Sequence, residues 1–204
     1  MRQNEAAASE AEADGAEAGT RKKRLRRELL AALNALPEAE RRKADEDILR
    51  LAAETPLYRQ ARRLFVFVGT GWEVDTWPLI EDALASGKQV AVPRCIPGGI
   101  MEACLIQSRG DLRQVPPLGL WEPAEGARTL SPSAIDFALI PCVACDAEGF
   151  RLGRGGGYYD RFLKGGRFVK AALCRRALLQ EKLPVEAHDE KVDWIITEAG
   201  IFYI

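Results

Sequence analysis

The chain has 204 residues, enough for one domain with a sizeable core and short for two. Apolar residues make up 47% and charged residues 29%, the composition of a globular protein rather than of a fibre or a disordered polymer. Basic and acidic residues nearly balance at a formal net charge of -1, so any anion site must be local and no whole-surface attraction to nucleic acid or membrane is expected.

Residues 1–20, rich in Ala and Glu, have little to bury and are expected to form a disordered extension, although Ala and Glu are good helix formers. They lack the apolar core of a secretory signal, and no run in the chain reaches the roughly 20 apolar residues that span a bilayer. The five scattered cysteines are then expected to be reduced thiols of a cytoplasmic protein.

From Arg21 the pattern changes, and residues 21–204 read as one domain. Leu25, Leu29, Leu33 and Leu36 recur at helical steps and predict one buried stripe. After Pro37 a second helix is predicted, ending before Pro56. The run RRLFVFV is a short buried strand. Thr76 is placed as N-cap of the helix in WPLIEDALASGK, and QVAVP is the next strand. MEACLI and IDFALIP are further strands, with LGLWEP in a Pro- and Gly-rich connection. A helix from about Tyr158, a strand near FVKAALC, a helix through RRALLQEKL and a last strand DWIIT complete the series. Strands alternating with helices imply a three-layer α/β/α fold with a mostly parallel central sheet.

The strand IDFALIP runs into DAEGFRLGRGGGYYDRFL, and ligands of open α/β sheets bind beyond the C-terminal ends of strands. Glycines let backbone N–H groups approach an anion, the helix from Tyr158 would add its positive end, and Arg151 and Arg154 could clamp phosphate oxygens. The segment matches neither a Walker loop nor a complete G-x-G-x-x-G fingerprint. From composition alone a flexible loop with chance arginines stays open, as does a solvated basic face for RKKRLRR.

GFRLGRGGGYYDRFL, together with KKRLR, FVFVGTGWEVDT, VAVPR, LWEP and HDEKVDWIITE in that order, resembles the 5-formyltetrahydrofolate cyclo-ligase family, also called methenyltetrahydrofolate synthetases. The resemblance spans roughly residues 21 to 197. It implies conversion of 5-formyltetrahydrofolate to 5,10-methenyltetrahydrofolate with ATP and Mg²⁺, releasing ADP and phosphate. It implies ATP contacts by Lys22, Arg26, Arg151, Gly153, Arg154, Gly155, Gly156, Gly157, Tyr158 and Tyr159. It assigns Val68, Glu73 and the run Arg154 to Tyr158 to the folate, and Asp160 and Asp189 to Mg²⁺. Trp72, Trp77 and Trp121 are candidates to wall a flat pterin, and which end of the folate meets Glu73 stays open. His188, the one histidine, is expected to be structural or phosphate-adjacent.

The chain departs from the family pattern at PCVACD, where Cys142 and Cys145 are expected to be small buried thiols. The partners expected are small molecules, with neither nucleic acid nor membrane, and a monomer is expected. Two readings compete: a non-catalytic nucleotide- or RNA-binding protein on the same fold, and an ATP-dependent ligase for another small substrate.

Overall fold

A computed structural model describes residues 2–116 and 119–204, with side chains described from residue 17 onward. Helix α1 (Arg2–Ala35) covers part of the expected extension, most of whose side chains lie outside the described residues. It is followed by α2 (Glu38–Glu54) and α3 (Pro56–Gln60). The second ends where expected because Thr55 is extended and begins a new turn, its hydroxyl accepting the Tyr58 N–H at 3.1 Å with Pro56 at the first helical position. Strand β1 (Arg63–Val66), helix α4 (Trp77–Ala85) and strand β2 (Gln89–Ile96) form the first βαβ unit. Then come β3 (Ile100–Ile106), β4 (Leu112–Val115), β5 (Leu120–Pro123), β6 (Thr129–Leu130) and β7 (Phe137–Pro141). The remaining elements are β8 (Ala144–Asp146), β9 (Arg151–Leu152), α5 (Tyr158–Leu163), β10 (Val169–Leu173), β11 (Leu179–Gln180), β12 (Trp194–Thr197) and β13 (Gly200–Tyr203).

The main sheet has the order β13-β12-β10-β7-β1-β2-β3-β6. Its centre is parallel, from β12 through β10, β7 and β1 to β2, while β13, β3 and β6 are antiparallel additions. Alternation along the strands sends Leu64, Val66, Val92 and Leu139 to one face, where Ile48 of α2, Tyr58 of α3 and Ile80 of α4 cover them. Phe65, Ala91, Ala138 and Ile140 point to the other face and pack on Phe162 and Leu163 of α5. Leu33 of α1 packs with Ala172 and Ile195 on that same side. The leucine stripe behaves as its spacing predicts, with Leu33 fully buried and Leu25, Leu29 and Leu36 against the core.

Three local expectations are corrected. RRALLQEKL is not a helix: Arg176–Leu178 make one 3₁₀ turn and β11 pairs with β8. Arg175 is extended and held by Asp45, and the Leu183 N–H bonds to Asp146 at 3.0 Å, so tertiary partners take the groups a helix would use. LWEP is a strand rather than a connection, paired with β4. DWIIT is not the last strand, since β13 returns antiparallel beside it. Thr76 does stand at the N-cap of α4, but its side chain makes no cap. Its hydroxyl donates to the Phe67 carbonyl and accepts the Gly69 N–H at 3.1 Å, bracing the loop after β1.

Candidate active site

In the main sheet β2 lies on one side of β1 and β7 on the other. The chain diverges from a common edge there, which is where ligands bind in such sheets. A cavity of about 520 Å³ opens at that point, lined by Phe67 and Val68 after β1 and by Pro141 and Cys142 at the end of β7. Lys22, Arg26, Glu73, Asp160, Asp189 and Arg151 through Tyr159 line the same cavity. Every residue named for ATP, folate or Mg²⁺ from the sequence therefore borders one space, although the three groups are separated by long stretches of chain.

The glycine-rich arm is built by β9, the turn after it and the start of α5. Gly157 occupies the N-cap of α5 with φ +64, a left-handed conformation that costs an L side chain about 1 kcal/mol or more. Arg161, one turn into α5, fastens the arm: its guanidinium donates to the carbonyls of Gly156 (2.8 Å) and Gly99 (2.7 Å). Nothing local in the sequence signals that role, because Gly99 lies in the β2–β3 turn. α5 has only six residues, so the attraction for an anion comes chiefly from side chains and arm amides rather than from a long helix dipole.

Besides Arg161, four Lys and Arg side chains line the cavity among the described residues, and each is held. Lys22 Nζ meets Glu186 at 2.7 Å and both oxygens of Asp189 at 2.8 and 2.5 Å. Arg26 Nε donates to the Gly153 carbonyl at 2.6 Å, which ties α1 to the arm. Arg151 donates to Asp160 at 2.8 Å, lies over the Tyr159 ring, and keeps its Nε enclosed without a partner among the described residues. Arg154 grips Glu73 through two bonds, 3.2 Å to Oε1 and 3.0 Å to Oε2, and stacks over Trp72. This bidentate fork suits a carboxylate, and would suit a phosphate equally well. Burial raises the Tyr159 hydroxyl well above its ordinary value, so it stays protonated beside these charges.

Glu73 is placed by a layer that sequence reasoning missed. Arg175, buried, donates to Asp45 at 2.7 and 2.9 Å and to the carbonyls of Trp72 (2.6 Å) and Glu73 (3.1 Å). Asp45 also accepts the Asp75 N–H at 3.2 Å. One ion pair thus clamps the loop carrying Glu73 from both sides. Burial raises the Asp45 carboxyl while Arg175 opposes the rise, so the pair holds the charge in place. Gly69 permits the tight return of this loop, since a Cβ there would run into the Val74 carbonyl.

Trp72 and Trp121 line the cavity, but Trp77 does not. Its indole N–H bonds to Glu81 at 2.7 Å and its ring meets Arg109. His188 lies at the rim, largely exposed, 3.9 Å from Asp189. Cys142 and Cys145 are buried thiols with sulfurs 3.5 Å apart, and Cys174 completes a group of three. Cys142 and Cys145 are raised well above the usual thiol range. The basic helix segment is not an open face either: Lys22 and Arg26 point into the cavity, and Arg21 and Arg24 pair along α1 with Glu17 and Glu28.

Fold and site together define an α/β enzyme in which a glycine-rich, arginine-bearing arm faces an apolar slot across one cavity. The chain belongs to the 5-formyltetrahydrofolate cyclo-ligase family, whose profile matches residues 18–198. The mouse 5-formyltetrahydrofolate cyclo-ligase is 30% identical over 191 residues, covering 87% of this chain and 93% of the relative. The Escherichia coli K12 cyclo-ligase is 30% identical over 179 residues, covering 81% and 93%. The solution structure of Aquifex aeolicus 5,10-methenyltetrahydrofolate synthetase superposes with a TM-score of 0.79 at 31% identity, covering 89% of this chain and 92% of that one.

Proposed function

We propose that this protein converts 5-formyltetrahydrofolate to 5,10-methenyltetrahydrofolate with consumption of ATP. One observation carries the reading beyond family membership: the residues that the resemblance assigns to nucleotide and to folate line a single cavity, with Arg154 of the arm bonded to Glu73 of the opposite loop. A phosphoryl donor on the arm and a formyl group beside Glu73 would be neighbours. The RNA-binding alternative is not favoured, because its basic segment spends two of its cations inside the cavity.

The chemistry needs ATP because an amide oxygen cannot leave as hydroxide at neutral pH. The formyl oxygen attacks the γ-phosphorus and ADP departs. N10 then attacks the activated carbon, phosphate leaves with the former formyl oxygen, and N10 gives up its proton as the ring closes. The protein's part is to position the two substrates and to neutralise charge. Arg151, Arg154, Lys22 and Arg26 supply positive charge around the polyphosphate, and the arm's glycines bring backbone donors close. Tyr158, with Arg161 over its ring, stands where nucleotide and folate would meet.

Asp160 and Asp189 would hold Mg²⁺. The donor chemistry fits, since both are hard carboxylate oxygens, and Asp160 Oδ2 has no protein partner among the described residues. Asp189 is occupied by Lys22, so the cation requires Lys22 to turn from the carboxylates toward phosphate. When bound, the ion would neutralise phosphate charge. The test is the growth of methenyltetrahydrofolate absorbance from 5-formyltetrahydrofolate, ATP and Mg²⁺. Folded protein that does not turn over sinks the reading, and activity that survives a chelator removes the metal from it.

A further inference from the structure

Five carboxylates line the cavity among the described residues, and four are matched by cations: Glu73 by Arg154, Asp160 by Arg151, and Glu186 and Asp189 by Lys22. The fifth is Glu122, in β5. It is only 7% exposed. Its Oε1 accepts the Cys95 N–H at 3.2 Å, the Cys95 thiol lies beside the same carboxylate, and no Lys or Arg of the described residues pairs with it. No N–H or O–H of the described residues reaches Oε2, and this oxygen is not sealed inside protein, because the enclosed unpartnered side-chain N and O atoms among those residues are Arg41 Nε and Arg151 Nε. It opens on the cavity.

The surroundings make this arrangement costly unless a ligand completes it. Pro93, Val115, Leu120 and Trp121 form the adjoining wall, so the carboxylate stands at an apolar surface with few water contacts. Its charge is felt locally: burial and the neighbouring Glu122 push the Cys95 thiol up to about 12. A desolvated acceptor of this kind calls for N–H donors delivered by something flat enough to lie along the wall. A cation is not required, since a planar pair of neutral donors satisfies a carboxylate.

We propose that Glu122 accepts the N–H edge of the substrate's pterin, its 2-amino group and adjacent ring N–H, as the ring enters the apolar slot beside Trp121. The proposal rests on the folate reading and sharpens it. Glu73 is not that acceptor, because Arg154 and the Thr70 hydroxyl and N–H already occupy both of its oxygens. The sequence names Glu73 alone as a folate carboxylate; the structure assigns the pterin edge to the acid of LWEP. Glu122 is thus a specificity residue, since a ring lacking the amino donor would leave the buried oxygen unpaired.

The experiment compares wild type with Glu122→Gln on 5-formyltetrahydrofolate and on its 2-desamino analogue, by turnover and by calorimetric binding. Glu122→Gln keeps an acceptor for Cys95 but replaces an acceptor oxygen by an amide donor. The expected result is a KM for 5-formyltetrahydrofolate raised about tenfold or more, an unchanged KM for ATP, and loss of the wild type's preference for the aminated ring. An unchanged folate KM, or a preference that survives in the variant, overturns the proposal while leaving the activity standing. A wild type that neither binds nor turns over 5-formyltetrahydrofolate overturns the functional reading and the proposal together. If Glu122→Gln does not fold, Glu122→Asp, which keeps the charge but withdraws it, carries the same comparison.

Discussion

The two walls of the cavity treat charge in opposite ways. On the arm side, Lys22, Arg151 and Arg154 each meet a carboxylate within 3.0 Å, and the Lys22 and Arg154 pairs join elements far apart in the chain. On the β5 side, Glu122 stands against Pro93, Leu120 and Trp121 without a cation. The difference follows from what each side would receive. A polyphosphate brings negative charge, so its wall stores cations and keeps them oriented with acids that a ligand can displace. A neutral heterocycle brings area and a few donors, so its wall is apolar with one acceptor left open.

The comparison breaks first at Arg154, which ties the arm to the loop after β1. Arg154→Ala removes a charge from the nucleotide side and strands Glu73, which is 9% exposed. Turnover in the methenyltetrahydrofolate assay is expected to fall by about 10² to 10³, and a variant within threefold of wild type would show that the pair is only a strut.

The clamp beneath the loop comes next. Arg175→Met leaves Asp45 as a buried uncompensated charge, with a destabilisation of about 3 kcal/mol or more in chemical denaturation. In the surviving folded fraction the folate KM should rise more than the ATP KM, because the loop that it holds carries Glu73 rather than the arm. Equal changes in both would deny Arg175 a positioning role.

Lys22→Met tests the arm from the helix side. It removes one cation and frees Asp189 and Glu186 together, so the ATP KM is expected to rise about tenfold with little change in folate KM. If Asp189 serves Mg²⁺, the metal requirement of this variant should shift to lower concentration.

The smallest effect concerns Cys95, on the Glu122 side. With its thiol held at about 12 against an ordinary value of 9.0, the thiolate fraction at pH 8 is roughly a thousandth of that of a free thiol. Iodoacetamide should leave Cys95 unmodified near neutral pH. The sign for stability follows: the folded state keeps this proton longer than the unfolded chain, so the thiol's contribution is complete below 9.0 and is lost as pH rises toward 12. Glu122→Gln should lower that value, and alkylation at a given pH should quicken.

Much of this was legible in the chain. The leucine stripe of α1, the buried strands and the glycine-rich arm are local signals, written in spacing and in residues such as Gly157 whose conformation few others adopt. Family pattern then supplied the residues of the arm and of the loop after β1. Other features left no local trace. Arg175 reads as the start of a helix because nothing adjacent reveals Asp45, 130 positions away, and a buried ion pair outweighs helix propensity. β11 and β13 form because they find partner strands beside them, and strand preference depends on such neighbours.

The sequence by itself determined the alternation of strands and helices, the place of the anion arm and the family to which the chain belongs. Periodicity and turn chemistry act over a few residues, and a motif keeps its spacing wherever it is folded. Only the tertiary structure decided which charges are spent on one another and which remains for a ligand. Glu73 and Glu122 are both acids flanking a tryptophan in the sequence. Burial and the reach of Arg154 made one a paired strut and left the other open to the cavity, because electrostatic partnership depends on distance in space and on exclusion of water.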